Sequence, residues 1–176
     1  MALVVLLRGV NVGGHRTFRP AVLAKELADL DVVNIGAAGT FVIRQPVTQT
    51  RLRAELARRL PFEAEIMICR GRDILGLMSH RHFASHPARS DIVRFVSVLS
   101  RSPRSAPSPP VSLPASGKWL LKVLAREHRF VFGVYRRQMK AIGYLGEIDQ
   151  LFGVPATTRN WNTITAIAKV LENRQT

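Results

Sequence analysis

Residues 32–43 read VVNIGAAGTFVI, two short apolar segments on either side of the turn Gly36 to Gly39. Apolar, β-branched segments joined by a glycine-containing turn are typical of two paired strands. Leucines with helical spacing flank this pair on both sides: Leu23, Leu27 and Leu30 before it, and Leu52, Leu56 and Leu60 after it. The pattern therefore predicts a strand hairpin between two helices.

Two further apolar segments, Leu3 to Leu7 and Ala64 to Cys69, extend this pattern as strands at its two ends. The resulting order is βαββαβ, which is the split βαβ pattern of ferredoxin-like units. We therefore predict an α+β fold. It has a ferredoxin-like subdomain over residues 1–70 and a second α+β subdomain, packed on the first, over residues 71–176.

The second subdomain is predicted to begin with a short helix near Asp73 to Met78, followed by a strand from Ile92 to Leu99. A hairpin formed by Lys118 to Ala125 and Arg129 to Tyr135 comes next, and two helices end the chain. Residues 100–114 hold five of the ten prolines. Because proline interrupts regular structure, this segment is predicted to be irregular.

The turn after the first strand, Arg8 to Gly14, reads RGVNVGG. Glycines such as Gly13 and Gly14 permit positive φ and close approach of a ligand, while Arg8 and Asn11 carry groups that recognise an anion or a planar polar group. The glycine spacing matches neither a Walker loop nor a dinucleotide-binding fingerprint. The alternative is an ordinary tight turn in which Asn11 bonds to its own backbone.

A second polar motif, TTRNWNT, occupies residues 157–163 and precedes apolar residues with helical spacing. A threonine or Asn160 is expected to cap the helix start, and Arg159 would add to a positive helix end that suits phosphate or carboxylate. The alternative is simply a well-capped amphipathic helix with Trp161 packed in the core.

The two motifs, RGVNVGG and TTRNWNT, are similar to the opening and closing motifs of the bacterial domain-of-unknown-function family 1697. The resemblance covers nearly the whole chain and implies a compact α+β protein with ferredoxin-like halves. It implies no catalytic residues. Where the family usually carries Gln-Ser-Gly-Asn, this chain has AAGT at residues 37–40, which leaves Thr40 as the side-chain donor of that loop.

The chain carries 26 Lys and Arg against 12 Asp and Glu, a formal net charge of +14. A surface this basic attracts polyanions, so nucleic acid is a candidate partner and its binding is expected to be salt-sensitive. The basic residues are spread over both halves of the chain, and only five are lysine. The alternative is therefore an arginine-rich composition that reflects a GC-rich genome.

Composition also bounds the protein class. The hydrophobic fraction of 47% is that of a folded domain, and no apolar run approaches the roughly 20 residues that span a bilayer. Cys69 is the single cysteine and ends an apolar strand, so it is expected to be buried, with no disulfide and no thiolate metal cluster. We expect a cytoplasmic protein without a membrane partner; the oligomeric state is not indicated.

Three histidines, His80, His82 and His86, lie within seven residues and carry imidazoles that suit zinc, copper or nickel. The spacing is not HExxH, and the neighbouring Arg81 and Arg89 repel cations. We therefore expect neither a metal nor a cofactor.

Two hypotheses for function remain open. The first is a non-enzymatic module that binds nucleic acid or a nucleotide. The second is an enzyme that acts on a small phosphorylated or carboxylated substrate, although neither motif contains an obvious nucleophile or general base other than His15. Both place the ligand where the two motifs are expected to converge. The predicted ligand-binding residues are Arg8, Asn11, Gly13, Gly14, Thr158, Arg159, Asn160 and Asn162.

Overall fold

The computed structural model describes residues 1–10 and 17–173 of an α+β chain. Internal contacts divide the chain into unit 1, Met1–His80 with Thr163–Thr176, and unit 2, Arg81–Asn162. This division differs from the predicted boundary at residue 70. Residues 71–80, and the last helix from Thr163 onward, belong with unit 1.

Unit 1 begins with the predicted βαββαβ order and adds a helix. Its elements are β1 (Leu3–Arg8), α1 (Pro20–Glu26), a 3-10 helix (Ala28–Leu30), β2 (Val32–Ile35), β3 (Thr40–Ile43), α2 (Gln49–Arg59), β4 (Glu65–Arg70) and α3 (Gly71–Leu77). The four strands form one sheet in the order β2-β3-β1-β4, and each neighbouring pair is antiparallel. This order is consistent with the predicted ferredoxin-like arrangement.

Local sequence explains the bounds of the unit 1 helices. Proline fixes φ near −65°, and Pro20 accordingly opens α1. The Thr48 hydroxyl caps α2 by accepting a hydrogen bond of 3.1 Å from the backbone N–H of Arg51. The helix ends just before Pro61, since the residue that precedes a proline is disfavoured in helical conformation.

One core cluster of unit 1 lies on one face of this sheet. Alternate residues of β1, among them Val5 and Leu7, pack in one cluster with Leu23 of α1 and with Leu52 and Leu56 of α2. These side chains are almost completely buried. Each contributes about 2 kcal/mol by leaving water, so the predicted leucine pattern is the main source of stability here.

Unit 2 is built around a five-stranded antiparallel sheet in the order β6-β7-β8-β5-β9. Its elements are β5 (Ile92–Leu99), β6 (Val111–Leu113), β7 (Leu121–Glu127), β8 (Phe130–Arg136), α4 (Met139–Leu145), α5 (Ile148–Phe152) and β9 (Ala156–Asn160). The last helix, α6 (Trp161–Glu172), follows β9 without a gap. Phe95, Leu121 and Val131 from the sheet form one buried cluster with Ile148 and Phe152 of α5.

Two strands of unit 2 correct the prediction. The segment 100–114 is not irregular throughout, because Val111–Leu113 pairs with β7 as a short edge strand. The chain also does not end in two helices alone, since Ala156–Asn160 pairs with β5 along its other edge. Both strands are short and lie at an edge of the sheet, where water can satisfy the backbone groups that face away from the one neighbouring strand.

Among the described residues, no helix has the length and apolar character needed to cross a bilayer. Cys69 is a free thiol and is buried, as predicted.

Candidate functional site

The first predicted site segment starts at the end of β1. Arg8 lies opposite Glu65 of β4, and its Nη1 donates to the Glu65 carboxylate at 3.2 Å. Both side chains are partly exposed, so the pair is worth less than about 1 kcal/mol. The remaining predicted residues of this turn, Asn11, Gly13 and Gly14, lie outside the described residues.

The first part of the second predicted segment, residues 157–160, forms a strand, and residues 161–163 begin the predicted helix. Thr157 and Thr158 lie in β9, and the Thr158 hydroxyl shares a hydrogen bond of 2.6 Å with the Ser97 hydroxyl of β5. Threonine is β-branched and suits a strand, and a free edge of β5 is available to it. Asn160 is the last strand residue, directly before helix α6 begins at Trp161.

Arg159 points into the protein interior. The residue is 7% exposed, and Nη1 donates to the Thr157 hydroxyl at 2.8 Å and to the Thr158 carbonyl at 3.0 Å. Burial lowers the pKa of Arg159 to about 10, so the guanidinium still carries its charge at neutral pH. These contacts support an internal structural role for Arg159, since a buried charge that is hydrogen-bonded is stable whereas an unpaired one is not.

Asn160 and Asn162 line an open cleft of about 170 Å³ in unit 2. The cleft lies where β5 begins and where β8 and β9 end. Its other polar lining consists of three arginines and one tyrosine, namely Arg89, Arg94, Arg137 and Tyr135. We call this cavity the strand-end cleft. The two asparagines, the three arginines and the tyrosine form its polar lining, and Trp161 adds an aromatic wall.

Sheet register brings these side chains together. Val93 of β5 lies opposite Tyr135 of β8, and Phe95 of β5 lies opposite Asn160 of β9. Antiparallel neighbours are about 5 Å apart, so residues distant in sequence meet at one end of the sheet. The cleft is thus assembled from three separate segments, 88–94, 135–137 and 160–162.

The three arginines differ in their partners. Arg89 pairs with Asp91 at 2.8 Å, whereas Arg137 Nε donates to the Ser90 carbonyl at 3.0 Å. The Arg94 guanidinium lies over the Phe83 ring, 5.6 Å from its centroid. Within the described part of the chain, neither Arg94 nor Arg137 forms an ion pair with a carboxylate. Two positive charges therefore face the cleft without a balancing acid.

The other lining groups are suited to hydrogen bonding. Burial raises the pKa of the Tyr135 hydroxyl, which therefore stays protonated at neutral pH and can donate. Trp161 is held by edge-on packing against Phe83, with 5.1 Å between ring centroids. Trp161 also contacts the Phe132 ring, as expected of a residue packed at the core.

Of the eight predicted ligand-binding residues, the structure brings Asn160 and Asn162 to this cleft. It places Thr158 in the sheet and Arg159 in the interior. Sequence reasoning missed Arg89, Arg94 and Arg137 as a group. The one available signal was their basic character near predicted strand ends. Their convergence depends on strand pairings, which no local sequence pattern reveals.

The histidine segment has a different environment. His82 Nε2 lies 3.0 Å from the Glu127 carboxylate, and these two groups are the kind that could ligate a metal ion. His86 is partly buried, and among the described residues its Nδ1 has no hydrogen-bond partner. The absence of a native metal site stays a prediction.

His86 is expected to make the protein less stable in mild acid. Partial burial, and then the nearby Lys122 charge, lower the pKa of His86 below its ordinary value of 6.5. Below about pH 6.5 the unfolded chain thus binds a proton that the folded chain resists, and the free energy of unfolding falls as pH falls. Urea unfolding at pH 7.5 and pH 5.5 tests this. His86→Asn should lose less stability between the two pH values than the unaltered protein; an equal loss in both would contradict it.

Comparison with known proteins bears on family and fold. The family model described as "Protein of unknown function (DUF1697)" matches residues 1–118. No curated protein matches the chain. Among solved structures, a conserved bacterial protein, SP0830 from Streptococcus pneumoniae, is similar with a TM-score of 0.63 at 16% identity, over 97% of this chain and 98% of that one. At that identity the likeness concerns the fold alone. The family match spans well over half of the length of this chain. The chain therefore belongs to the DUF1697 family.

Proposed function

We propose that the protein is a non-enzymatic module that binds a phosphate-bearing ligand, a nucleotide or nucleic acid, at the strand-end cleft. The observation that carries this proposal is that three arginines line one cleft. Only one of them, Arg89, is paired with a carboxylate among the described residues. An anion would relieve the mutual repulsion of the arginines and accept their hydrogen bonds.

The remaining lining groups support the same proposal. The amides of Asn160 and Asn162 and the protonated Tyr135 hydroxyl can donate to phosphate oxygens. Trp161 offers an apolar ring beside these donors. Polar groups that converge on an open cleft with one aromatic wall are typical of ligand sites.

The composition of the cleft favours binding over catalysis. Within the described part of the chain, its lining includes no carboxylate, imidazole or thiol. Proton transfer usually needs such a group with a pKa near the working pH, and burial moves the pKa of Tyr135 away from that range. The enzyme hypothesis therefore has no proton carrier in this cleft.

Calorimetric titration with inorganic pyrophosphate at low salt tests the proposal. Arg94→Gln combined with Arg137→Gln is expected to weaken binding at least about tenfold, since hydrogen bonds to charged groups contribute about 1.5–3 kcal/mol each. Arg101→Gln combined with Arg104→Gln is the matched control, because it removes the same two charges from exposed positions of the same unit outside the cleft. A similar loss in the control would indicate non-specific attraction and contradict the proposal.

A further inference from the structure

The end of the unit 2 sheet that carries the cleft continues into a second basic region. Strands β7 and β5 begin at this end, and β8 and β9 finish there, because Leu121 and Val93 both lie opposite Tyr135. With about 4.8 Å between neighbouring strands, the four strand ends span about 14 Å. Groups at the start of β7 are thus within the reach of one extended ligand that occupies the cleft.

The second region is centred on Trp119. The Arg136 guanidinium lies 4.0 Å from the centroid of the Trp119 ring, and its Nε donates to the Trp119 carbonyl at 2.7 Å. Lys122 Nζ lies 4.7 Å from the same centroid. Arg136 is therefore held in one position by ring and carbonyl together, and its two terminal amino groups form no ion pair with a described carboxylate.

Unit 2 is basic overall, and basic side chains outnumber acidic ones at the cleft end of its sheet. The unit has thirteen Lys and Arg against four Asp and Glu. Glu127 lies at the far end of β7, and Asp149 bonds to the first residue of β9, also at the far end. Nearer to the cleft are Asp91, which pairs with Arg89, and Glu147, which borders a shallow pocket beside Leu120. The basic groups thus outnumber the acids along this edge.

We infer that this edge binds single-stranded nucleic acid, with one phosphate in the strand-end cleft and the next phosphates at Arg136 and Lys122. The inference rests on the proposed function, because the cleft supplies the first phosphate site. The row of basic side chains extends beyond the length of one mononucleotide, so it is suited to a ligand that carries several phosphates in series. Trp161 and Tyr135 are aromatic rings at the cleft that unpaired bases can contact, whereas the base faces of a duplex are already stacked.

Trp119 acts in this scheme as a positioning residue. Its ring and its carbonyl fix the position of the Arg136 guanidinium, and Arg136 itself contacts the phosphate. Each phosphate contact to a single strand releases counterions and contributes about 0.7 to the slope of log affinity against log salt.

Fluorescence anisotropy with labelled oligothymidylates of two, four, eight and twelve nucleotides tests the inference. Affinity should rise by about tenfold between two and eight nucleotides and then level off. Arg136→Gln should weaken eight-nucleotide binding about fivefold and lower the salt slope by about 0.7, with pyrophosphate affinity unchanged. Trp119→Leu should weaken it in the same way and Trp119→Phe should restore most of it. Arg136→Lys retains the charge and serves as the control for loss of folding. Arg104→Gln, which removes one charge outside the cleft, is the control for non-specific attraction.

The outcomes separate the two proposals. Pyrophosphate binding without any dependence on oligonucleotide length overturns the single-strand inference and leaves the cleft proposal in place. Absence of pyrophosphate binding at low salt overturns the cleft proposal itself. Tighter binding of duplex DNA, or inorganic polyphosphate binding as tightly as the eight-nucleotide strand, overturns single-strand recognition because it leaves no part for unpaired bases.

Discussion

Replacing Gly133 with alanine is expected to lower the free energy of unfolding by about 3 kcal/mol. Gly133 lies in the middle of β8, directly opposite Phe95 of β5. An alanine Cβ would overlap the Phe95 ring and lie 2.7 Å from the backbone carbonyl oxygen of Lys122. Phe95 is completely buried and the carbonyl belongs to the sheet, so neither can move away easily.

Thermal unfolding checks this result, and a decrease in Tm of about 10 °C is expected for a chain of this size. Gly143→Ala in helix α4 is the matched control, because a Cβ there meets nothing within 4 Å. It should leave Tm unchanged or raise it slightly, since alanine favours helix. Equal Tm values for the two variants would contradict the packing account of β8.

Gly39→Ala is expected to destabilise the protein by about 2–3 kcal/mol through two separate effects. Gly39 has φ +82°, a conformation that side chains with a Cβ rarely adopt. An added Cβ would also lie 2.8 Å from Leu7 Cβ and 2.8 Å from Val10 Cγ2. Both neighbours are buried in unit 1, and Leu7 Cβ is fixed directly to the backbone of β1.

Gly36, at the other end of the same turn, separates the two effects. It has φ +68°, but a Cβ there meets nothing within 4 Å. Gly36→Ala should therefore cost only the conformational part, about 1 kcal/mol. Urea unfolding of both variants measures the difference. If Gly36→Ala destabilised the protein as much as Gly39→Ala, close packing at Gly39 would not be the cause.

Elements with strong hydrophobic periodicity could be predicted from sequence. The strand Ile92–Leu99 has the predicted bounds, and the helix that begins at Pro20 begins there in the structure. In these segments the local pattern and the final burial agree, because the apolar residues that carry the pattern are buried. The α+β class followed from their order along the chain.

Strand β9 could not be predicted in the same way. Its sequence, ATTRN, is polar and has no alternating apolar pattern. It becomes a strand because β5 offers a free edge and because Ser97 provides a partner for the Thr158 hydroxyl. Arg159 then falls on an interior position, where Thr157 and backbone satisfy it. Tertiary pairing, which local sequence does not report, decided the roles of these residues.

The cleft arginines present the same difficulty. Arg94 and Arg137 stand far apart in sequence, and only the pairing of β5 with β8 brings their strand ends together. The structure places Asn160 and Asn162 in the cleft, while the other polar groups of its lining come from other segments. The part of these two asparagines in ligand binding stays a prediction. The contribution of the Arg8–Gly14 turn to ligand binding stays a prediction.

The most direct test of the anion-binding cleft is an NMR titration of ¹⁵N-labelled protein with inorganic pyrophosphate at low salt, which follows the arginine Nε–H and asparagine amide signals. We expect the largest shifts at Arg89, Arg94, Arg137, Asn160 and Asn162, because these side chains line the cleft. Shifts of similar size at the exposed Arg101 and Arg104, or no shifts at all, would contradict the account.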